Sequence, residues 1–369
     1  MERIRHLGAM ADIQVVAPVP WFRTLGVHPR AHDTTPLLGI HHPRFWYIPK
    51  VLKSVRGLFL FLSALHHVRR LRSTFDFDLI DAHFAYPDGF AAVMLGRWFR
   101  RPVCITLRGT IAQWWVRAIG RRLCVWAMCR SERVIAVAES LAVYPREAGI
   151  PTHRIAVIRN GVDLERFQVI DPSVARRRLG LPEHTRILVS VGHISPRKGF
   201  HRVIRSLPAV LESFPDVHLA IVGGAGAEED NSAALQALIQ QLGLSRRVLM
   251  VGSKTPDEVA LWLAAADTFV LASDFEGCPN VVLEAMACGR PVVASKVGDI
   301  ERMVPDFAGV LFENPEDDHA LSSCIRSALT RTWDPFRIRT HVAKRSWDSV
   351  AEQVAAEWSM ALQAFCNRN

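Results

Sequence analysis

The sequence predicts an α/β protein with two doubly wound domains that face a cleft. Its 369 residues exceed the length of one ordinary core, and 49% hydrophobic with 22% charged residues is a globular composition. Short β-branched runs alternate with helical stretches along both halves of the chain. Alternation at this spacing indicates βαβ units, and therefore parallel sheets flanked by helices.

Six strands are predicted in the second half, where the apolar runs are regular. They are "RILVSVG" (186–192), "HLAIVGG" (218–224), "RVLMVG" (247–252), "TFVLAS" (268–273), "RPVVAS" (290–295) and "GVLF" (309–312). The first half is less regular and predicts five strands. They are "DIQVVAP" (12–18), "FDLIDAH" (77–83), "RPVCITL" (101–107), "RVIAVA" (133–138) and "IAVIRNGV" (155–162).

Charge is distributed unevenly along the chain. The net charge is +9, but residues 1–170 hold 24 Lys+Arg against 12 Asp+Glu, whereas the remainder holds 21 against 24. The first domain is therefore expected to face an anion, with a solvated basic surface as the alternative.

Segments 42–72 and 114–128 mix apolar and basic residues. Each can lie on a membrane surface or pack on the sheet as an amphipathic helix, and packing on the sheet is the favoured interpretation.

The seven cysteines are odd in number and form no CxxC pair, so we expect buried thiols in a reducing compartment. No run reaches the roughly 18 apolar residues of a membrane span, and the first residues do not resemble a signal peptide. The expected location is the cytoplasm or, peripherally, the inner face of the plasma membrane. Neither a metal nor a cofactor is expected.

The loop "SDFEGCPN" (273–280) follows a strand, and ligands of open parallel sheets bind at the carboxyl ends of strands. Asn280 is expected to cap a helix whose first amides form an anion site. Glu284, early in that helix, can accept hydrogen bonds from two ribose hydroxyls, while Glu276 lies in the loop. A glutamate stabilised only by the helix dipole is the alternative for Glu284.

A second loop, "GHISPRKGF" (192–200), carries Arg197 and Lys198 after another strand. A lysine ammonium there can reach a diphosphate as a point charge, and a solvated lysine is the alternative. Glycines 223, 224 and 226 do not form GxGxxG, which argues against a nicotinamide enzyme.

Taken together, "VGHISPRKG", "IVGGAG", "EGCPNVVLEAMACGRPVVAS" and "NGVDLERF" (160–167) resemble the GT-B glycosyltransferases of family 4 over nearly the whole chain. The resemblance implies two Rossmann-like domains, over 1–168 and 169–350, and a C-terminal helix over 351–369 that crosses back to the first domain.

By this resemblance, the second domain binds a nucleotide-diphosphate sugar, a UDP- or GDP-sugar. Glu284 would bind the ribose, Lys198 the diphosphate, and Glu276 the sugar. The further donor-binding residues implied are His193, Gly277, Asn280, Val281, Gly252 and Ser253.

The resemblance also implies a retaining, metal-independent transfer of a hexose to a glycan or polyprenyl-linked acceptor in cell-surface polysaccharide biosynthesis. The catalytic residues would be Glu276, Lys198 and Arg108. The segment "DAHFAYPDG" (81–89) places His83 and Asp88 on the acceptor side. Partners would include an anionic membrane surface but no nucleic acid.

Three positions depart from the family pattern. His193 stands where arginine is usual, and "TLRGTI" places Arg108 where histidine is common and Ile111 where an acidic residue is common. The chain also opens in the helix "ERIRHLGAMA" (2–11), without the usual first strand and Gly-rich loop. A misplaced start or a truncated gene is the expected reason.

These departures keep open a catalytically impaired relative, which would be a nucleotide-sugar-binding or scaffold protein. A separate alternative is a nucleotide-sugar epimerase of the same architecture. An epimerase would convert the donor with no acceptor present.

Overall fold

The computed structural model describes residues 2–21, 39–45, 53–225 and 230–368. The chain divides into two compact units, Met1–Asn160 with Trp347–Asn369 (unit 1) and Gly161–Ser346 (unit 2). Both units contain parallel sheets, so the predicted α/β class is confirmed. No helix of the described ranges is long and apolar enough to cross a membrane.

The described strands follow the predicted runs closely, with shorter bounds. In unit 1 they are β1 Gln14–Val16, β2 Val19–Pro20, β3 Gly39–His41, β4 Arg44–Phe45, β5 Ile80–His83, β6 Val103–Leu107, β7 Arg133–Ala136 and β8 Ile155–Val157. In unit 2 they are β9 Ile187–Val191, β10 His218–Val222, β11 Val248–Gly252, β12 Thr268–Leu271, β13 Val292–Ser295 and β14 Gly309–Phe312.

The described α-helices lie between the strands and at both ends of the chain. They are α1 Glu2–Leu7, α2 Arg56–Leu71, α3 Phe90–Phe99, α4 Ile111–Trp115, α5 Ala118–Arg130, α6 Glu139–Glu147, α7 Pro172–Arg178, α8 Phe200–Leu211, α9 Ser232–Gln241, α10 Pro256–Ala265, α11 Asn280–Ala287, α12 Ile300–Met303, α13 Asp318–Thr330, α14 Pro335–Ala343 and α15 Trp347–Cys366.

The sheet of unit 2 has the order β11-β10-β9-β12-β13-β14, with all strands parallel. Strand β9 is therefore central and pairs with both β10 and β12, where the direction of winding reverses. Helices pack on the sheet, which is why its inner strands β9, β10, β12 and β13 are almost continuous runs of buried residues. In such sheets the ligand site lies at this reversal, beyond the carboxyl ends of β9 and β12.

Unit 1 contains a four-stranded parallel sheet, β5-β6-β7-β8, and two parallel pairs, β1 with β3 and β2 with β4. In the described part of the chain, the strands predicted over 12–18 and 77–83 thus belong to separate sheets. Helix α1 is the opening helix that the sequence predicts, and its Leu7 packs on Trp347 and Val350 of α15.

Helix α2 packs its buried Leu60, Phe61, Ala64 and Val68 in a core with α3, as an amphipathic helix should. This confirms helix packing for the described part of segment 42–72; residues 46–52 of that segment lie outside the described residues. The cysteines are all free. Cys129 and Cys366 are exposed, so the expectation of buried thiols was wrong for these two.

Candidate functional site

The loops that follow β9 and β12 are bonded to each other. The Asp274 amide donates to the Arg197 carbonyl at 3.0 Å, and Arg197 Nη1 donates to the Phe275 carbonyl at 2.6 Å. Gly199 has φ +67°, and a Cβ there would lie 1.9 Å from the Ala272 carbonyl oxygen. Only glycine allows this approach, so the sequence "RKG" brings the two loops together.

An ion pair joins the two loops at their centre. Lys198 Nζ donates to Glu276 Oε1 at 2.6 Å, with side-chain exposures of only 13% and 9%. Ser273 Oγ donates to the same oxygen at 2.9 Å, and Arg197 Nη1 lies 3.7 Å from it. Glu276 Oε1 thus accepts hydrogen bonds from both Lys198 and Ser273, and Lys198 keeps two further N–H groups for an anion.

Sequence reasoning missed Ser273, which is fully buried and precedes Glu276 by three residues. Ser295 Oγ donates to the Ser273 carbonyl at 2.7 Å, and the Asp299 amide donates to the Gly277 carbonyl at 3.2 Å. The loop after β13 therefore supports the Glu276 loop from behind. The only sequence signal was a hydroxyl residue at short spacing before the glutamate.

Helix α11 carries the second glutamate. It begins at Asn280, after Pro279, so the prediction that Asn280 is the N-cap was wrong by one residue. Proline cannot donate a backbone hydrogen bond, and it stands where no helical N–H is needed. Gly277 and Val281 are partly exposed and Asn280 is exposed, so the helix start remains accessible to an anion.

Glu284 lies one turn into α11, and its carboxylate has no hydrogen-bond partner among the described residues. Burial raises the pKa of Glu284 to about 7, although the Arg166 guanidinium acts in the opposite direction. Arg166 is itself paired with Asp163 at 2.9 Å and with Asp257 at 2.8 Å. An unpartnered carboxylate of this kind suits a ligand that donates hydrogen bonds to it.

The loops after β9, β10 and β11 are joined through their backbones. The Gly192 amide donates to the Val222 carbonyl at 3.0 Å, and the Gly223 amide donates to the Gly252 carbonyl at 2.9 Å. The next residues, His193 and Ser253, are exposed. Gly226 lies outside the described residues.

The donor-binding residues predicted from the sequence therefore lie at one edge of the unit 2 sheet. His193 and Lys198 follow β9, Gly252 ends β11 with Ser253 after it, and the others lie between β12 and the first turns of α11: Glu276, Gly277, Asn280, Val281 and Glu284. No three His, Cys, Asp or Glu side chains are grouped for a metal ion within the described ranges.

The acceptor-side residues lie in unit 1, where a buried arginine dominates. Arg3 Nη2 donates to Asp81 Oδ2 at 2.8 Å and to Thr106 Oγ1 at 2.9 Å, and it lies 3.3 Å from His83 Nε2. Arg108 Nη2 lies 3.3 Å from His83 Nδ1. No sequence pattern indicated Arg3, because its partners are about 80 to 100 positions away along the chain.

The imidazole of His83 is thus flanked by two guanidinium groups. Burial lowers the pKa of His83, and the positive charges of Arg3 and Arg108 add to this effect against the opposing charge of Asp81. His83 is therefore neutral at physiological pH. Burial works against ionisation of Asp81, but Arg3 and His83 outweigh it and hold the pKa of Asp81 below its ordinary value.

Asp88 lies in the turn Ala85–Gly89 that follows β5. Burial raises the pKa of Asp88 to about 6. Phe84, between His83 and this turn, has φ +78°, which is strained for a residue with a side chain. His83 thus ends β5, Asp88 follows it, and Arg108 follows β6, so all three lie at the carboxyl edge of the unit 1 sheet.

Two family models match the sequence, one after the other. Residues 8–166 match Glycosyltransferase Family 4, and residues 173–345 match Glycosyl transferases group 1. A D-inositol 3-phosphate glycosyltransferase of Corynebacterium urealyticum is 29% identical over 248 residues, covering 63% of this chain. The chain spans 58% of the length of that relative.

Two solved structures resemble the fold. Sucrose-phosphate synthase from Thermosynechococcus elongatus aligns with a TM-score of 0.79 and 22% identity, covering 98% of this chain and 93% of its own. Anabaena HepE, in complex with UDP-glucose, aligns with a TM-score of 0.71 and 24% identity, covering 87% of this chain and 86% of its own.

Proposed function

The chain belongs to the GT-B glycosyltransferases of family 4, and from this premise we propose that it transfers a hexose from a nucleotide-diphosphate sugar to an acceptor, with retention and without a metal. The observation that carries the proposal is the Lys198–Glu276 pair at the reversal point of the unit 2 sheet. In the proposed site, this pair receives the diphosphate and the sugar.

The donor would bind along the carboxyl edge of unit 2. The Lys198 ammonium and the first amides of α11 would bind the diphosphate, and Glu284 would accept hydrogen bonds from the ribose hydroxyls. Backbone atoms at Gly252 and Ser253 would contact the base. We propose UDP-glucose as the first donor to test, since the structurally similar HepE was solved with that nucleotide sugar.

In the proposed reaction, the diphosphate leaves on the face that the acceptor attacks. The charge that develops on the leaving diphosphate would be stabilised by Lys198 and by helix amides that are already in position. Glu276 is ion-paired, so we assign it to hydrogen bonding with the sugar rather than to proton transfer. This role differs from that of the two carboxyls that hydrolases place across a scissile bond.

On the acceptor side we propose His83, Asp88 and Arg108. A neutral His83 can exchange a hydrogen bond with an acceptor hydroxyl, and Arg108 can neutralise phosphate. We propose a glycan or polyprenyl-linked acceptor, used in cell-surface polysaccharide biosynthesis at the inner face of the plasma membrane. The motif "DAHFAYPDG" supports this choice.

The test incubates the full chain with UDP-glucose, with and without polyprenyl phosphate, and measures UDP release and donor isomerisation. A transferase releases UDP and loses this activity in Glu284→Ala. Affinity without turnover would identify a nucleotide-sugar-binding relative, and conversion of the donor without acceptor would identify an epimerase; either result contradicts the proposal.

A further inference from the structure

The junction of α4 and α5 exposes large apolar side chains. Val116 is 84% exposed, the highest value for any large hydrophobic residue in the described ranges, and Ile119 is 58% exposed. Trp98 on α3, which packs against α5, is 57% exposed. Aliphatic side chains this exposed, within a few residues of each other, indicate a contact surface.

Arginines dominate the charge along this stretch of the chain, although Glu147 of α6 also contacts the surface, at Trp115. Residues 89–131 contain eight arginines and no aspartate or glutamate. Arg117, Arg121 and Arg122 are exposed, and none of them has a carboxylate within ion-pairing distance among the described residues. The positive charges of these guanidinium groups are therefore exposed to solvent and are not neutralised by a carboxylate of the described residues.

Tryptophans lie directly behind the arginines. The Arg121 guanidinium lies 4.8 Å from the centre of the Trp115 ring, and that of Arg117 lies 5.9 Å from the centre of the Trp114 ring. Trp115 Nε1 donates to Glu147 of α6 at 3.0 Å, which holds its ring in place. Arginine, tryptophan and exposed aliphatic residues combine as in interfacial membrane segments.

The opposite face of α5 is buried in unit 1, which leaves the α4–α5 junction on the surface. Cys124, Ala127 and Met128 are fully buried, and Trp126 contacts Phe90 of α3 with ring centroids 4.7 Å apart. A Cβ at Gly120 would lie 2.7 Å from the Trp114 carbonyl oxygen, so glycine allows α4 and α5 to meet closely. Residues 116–119 are held on the surface as a consequence.

We propose that this α4–α5 surface, formed by Trp115, Val116, Arg117, Ile119, Arg121 and Arg122, docks unit 1 onto an anionic lipid bilayer. The Val116 and Ile119 side chains would enter the headgroup boundary, and the arginines would bind lipid phosphates. A second copy of the chain is a poorer occupant, because an isologous contact would bring the same arginines together. This surface would supply the membrane contact that the proposed function includes. Binding of the surface to lipid can be measured without the sugar-transfer reaction.

The test measures flotation of the full chain with vesicles of phosphatidylcholine alone and of phosphatidylcholine mixed with phosphatidylglycerol. We expect binding to the anionic vesicles only, weakened by salt. Each arginine near such a surface contributes about fivefold to binding, so Arg121→Gln with Arg122→Gln should weaken it roughly 30-fold. Val116→Ser with Ile119→Ser should weaken it at least about tenfold.

Matched controls lie elsewhere on the chain. Arg178→Gln with Arg246→Gln removes the same charge from exposed positions of unit 2, and Leu242→Ser with Met360→Ser removes apolar groups that are 37% and 40% exposed. Both controls should bind vesicles like the parent. All variants should keep the parent's melting temperature and its affinity for UDP-glucose.

Several results would overturn the docking proposal. They are equal binding to neutral and anionic vesicles, no vesicle binding, equal losses in the controls, or a dimer that Arg121→Gln with Arg122→Gln converts to a monomer. Vesicle binding without UDP release would instead contradict only the proposed function. UDP release without vesicle binding would contradict only the docking surface.

Discussion

Two buried ion pairs, one in each unit, have different surroundings. In unit 2, Lys198 contacts Glu276 at 2.6 Å, through an ammonium with further donors to offer. In unit 1, Arg3 contacts Asp81 at 2.8 Å, and the same guanidinium nitrogen also contacts Thr106 and His83. The first pair can reorganise around an anion, whereas in the second one Arg3 nitrogen is shared among three side chains of β5 and β6. We therefore assign binding to the first pair and structure to the second.

The largest expected effect is on turnover, from Lys198→Ala. Removing one preorganised donor to a developing negative charge typically costs about 10²–10³-fold in kcat, and we expect a loss of this size in UDP release. Lys344→Ala is the matched control, because Lys344 is exposed at the end of α14 and belongs to none of the donor loops. Equal losses of UDP release in the two variants would contradict the assignment of anion binding to the Lys198–Glu276 pair.

The next effect is on stability, from Arg3→Met. Breaking a buried pair leaves Asp81 as an uncompensated charge, which costs about 3–5 kcal/mol. Chemical denaturation should show this loss for unit 1, while the affinity for UDP-glucose stays at the parent value. Unchanged stability with a lost affinity would reverse the two assignments.

Glu284→Gln should stabilise the ligand-free protein at high pH. The pKa of Glu284 is raised from 4.5 to about 7, so the folded state holds this proton more tightly than the unfolded state. Its favourable contribution is present below pH 4.5 and is lost as pH rises through about 7, which costs up to about 3 kcal/mol. The variant should therefore melt higher than the parent at pH 8 and equally near pH 4.

The same substitution should weaken UDP-glucose binding about tenfold, because an amide offers fewer acceptors to the ribose than a carboxylate. Titration calorimetry at pH 8 measures this loss. Glu212→Gln, at an exposed position just after α8, is the control for an equal change of charge. Parent-like affinity in Glu284→Gln would exclude the ribose contact.

The smallest expected effect comes from Ser273→Ala. It removes the hydroxyl that donates to Glu276 at 2.9 Å, a hydrogen bond to a charged group contributing about 1.5–3 kcal/mol. We expect kcat to fall roughly tenfold with little change in KM, and Ser273→Thr to restore it. Failure of threonine to rescue a folded variant would assign Ser273 to packing alone.

Unit 2 was predictable from the sequence because its inner strands are buried on both faces and therefore appear as continuous apolar runs. Glu276, Glu284 and Lys198 were found because their loops follow such strands. In unit 1, β2 and β4 are too short to leave a periodic pattern. The contacts of Arg3 depend on tertiary packing, which no local pattern encodes.

Two smaller errors of the sequence-based prediction have local causes. Asn280 was predicted as the N-cap because its side chain favours that position, but Pro279 occupies it and α11 begins one residue later. Ser273 was passed over because a serine after a strand is common. The role of Ser273 depends on the turn of the loop, which brings the Glu276 carboxylate next to the Ser273 hydroxyl.

Hydrogen–deuterium exchange with and without UDP-glucose tests the central claim most directly, because it reports on both ion pairs in one measurement. The nucleotide sugar should slow exchange at residues 192–199 and 273–284 of unit 2 and leave residues 80–108 of unit 1 unchanged. Protection confined to residues 80–108, or none in unit 2 at saturating UDP-glucose, would contradict the assignment of the donor site.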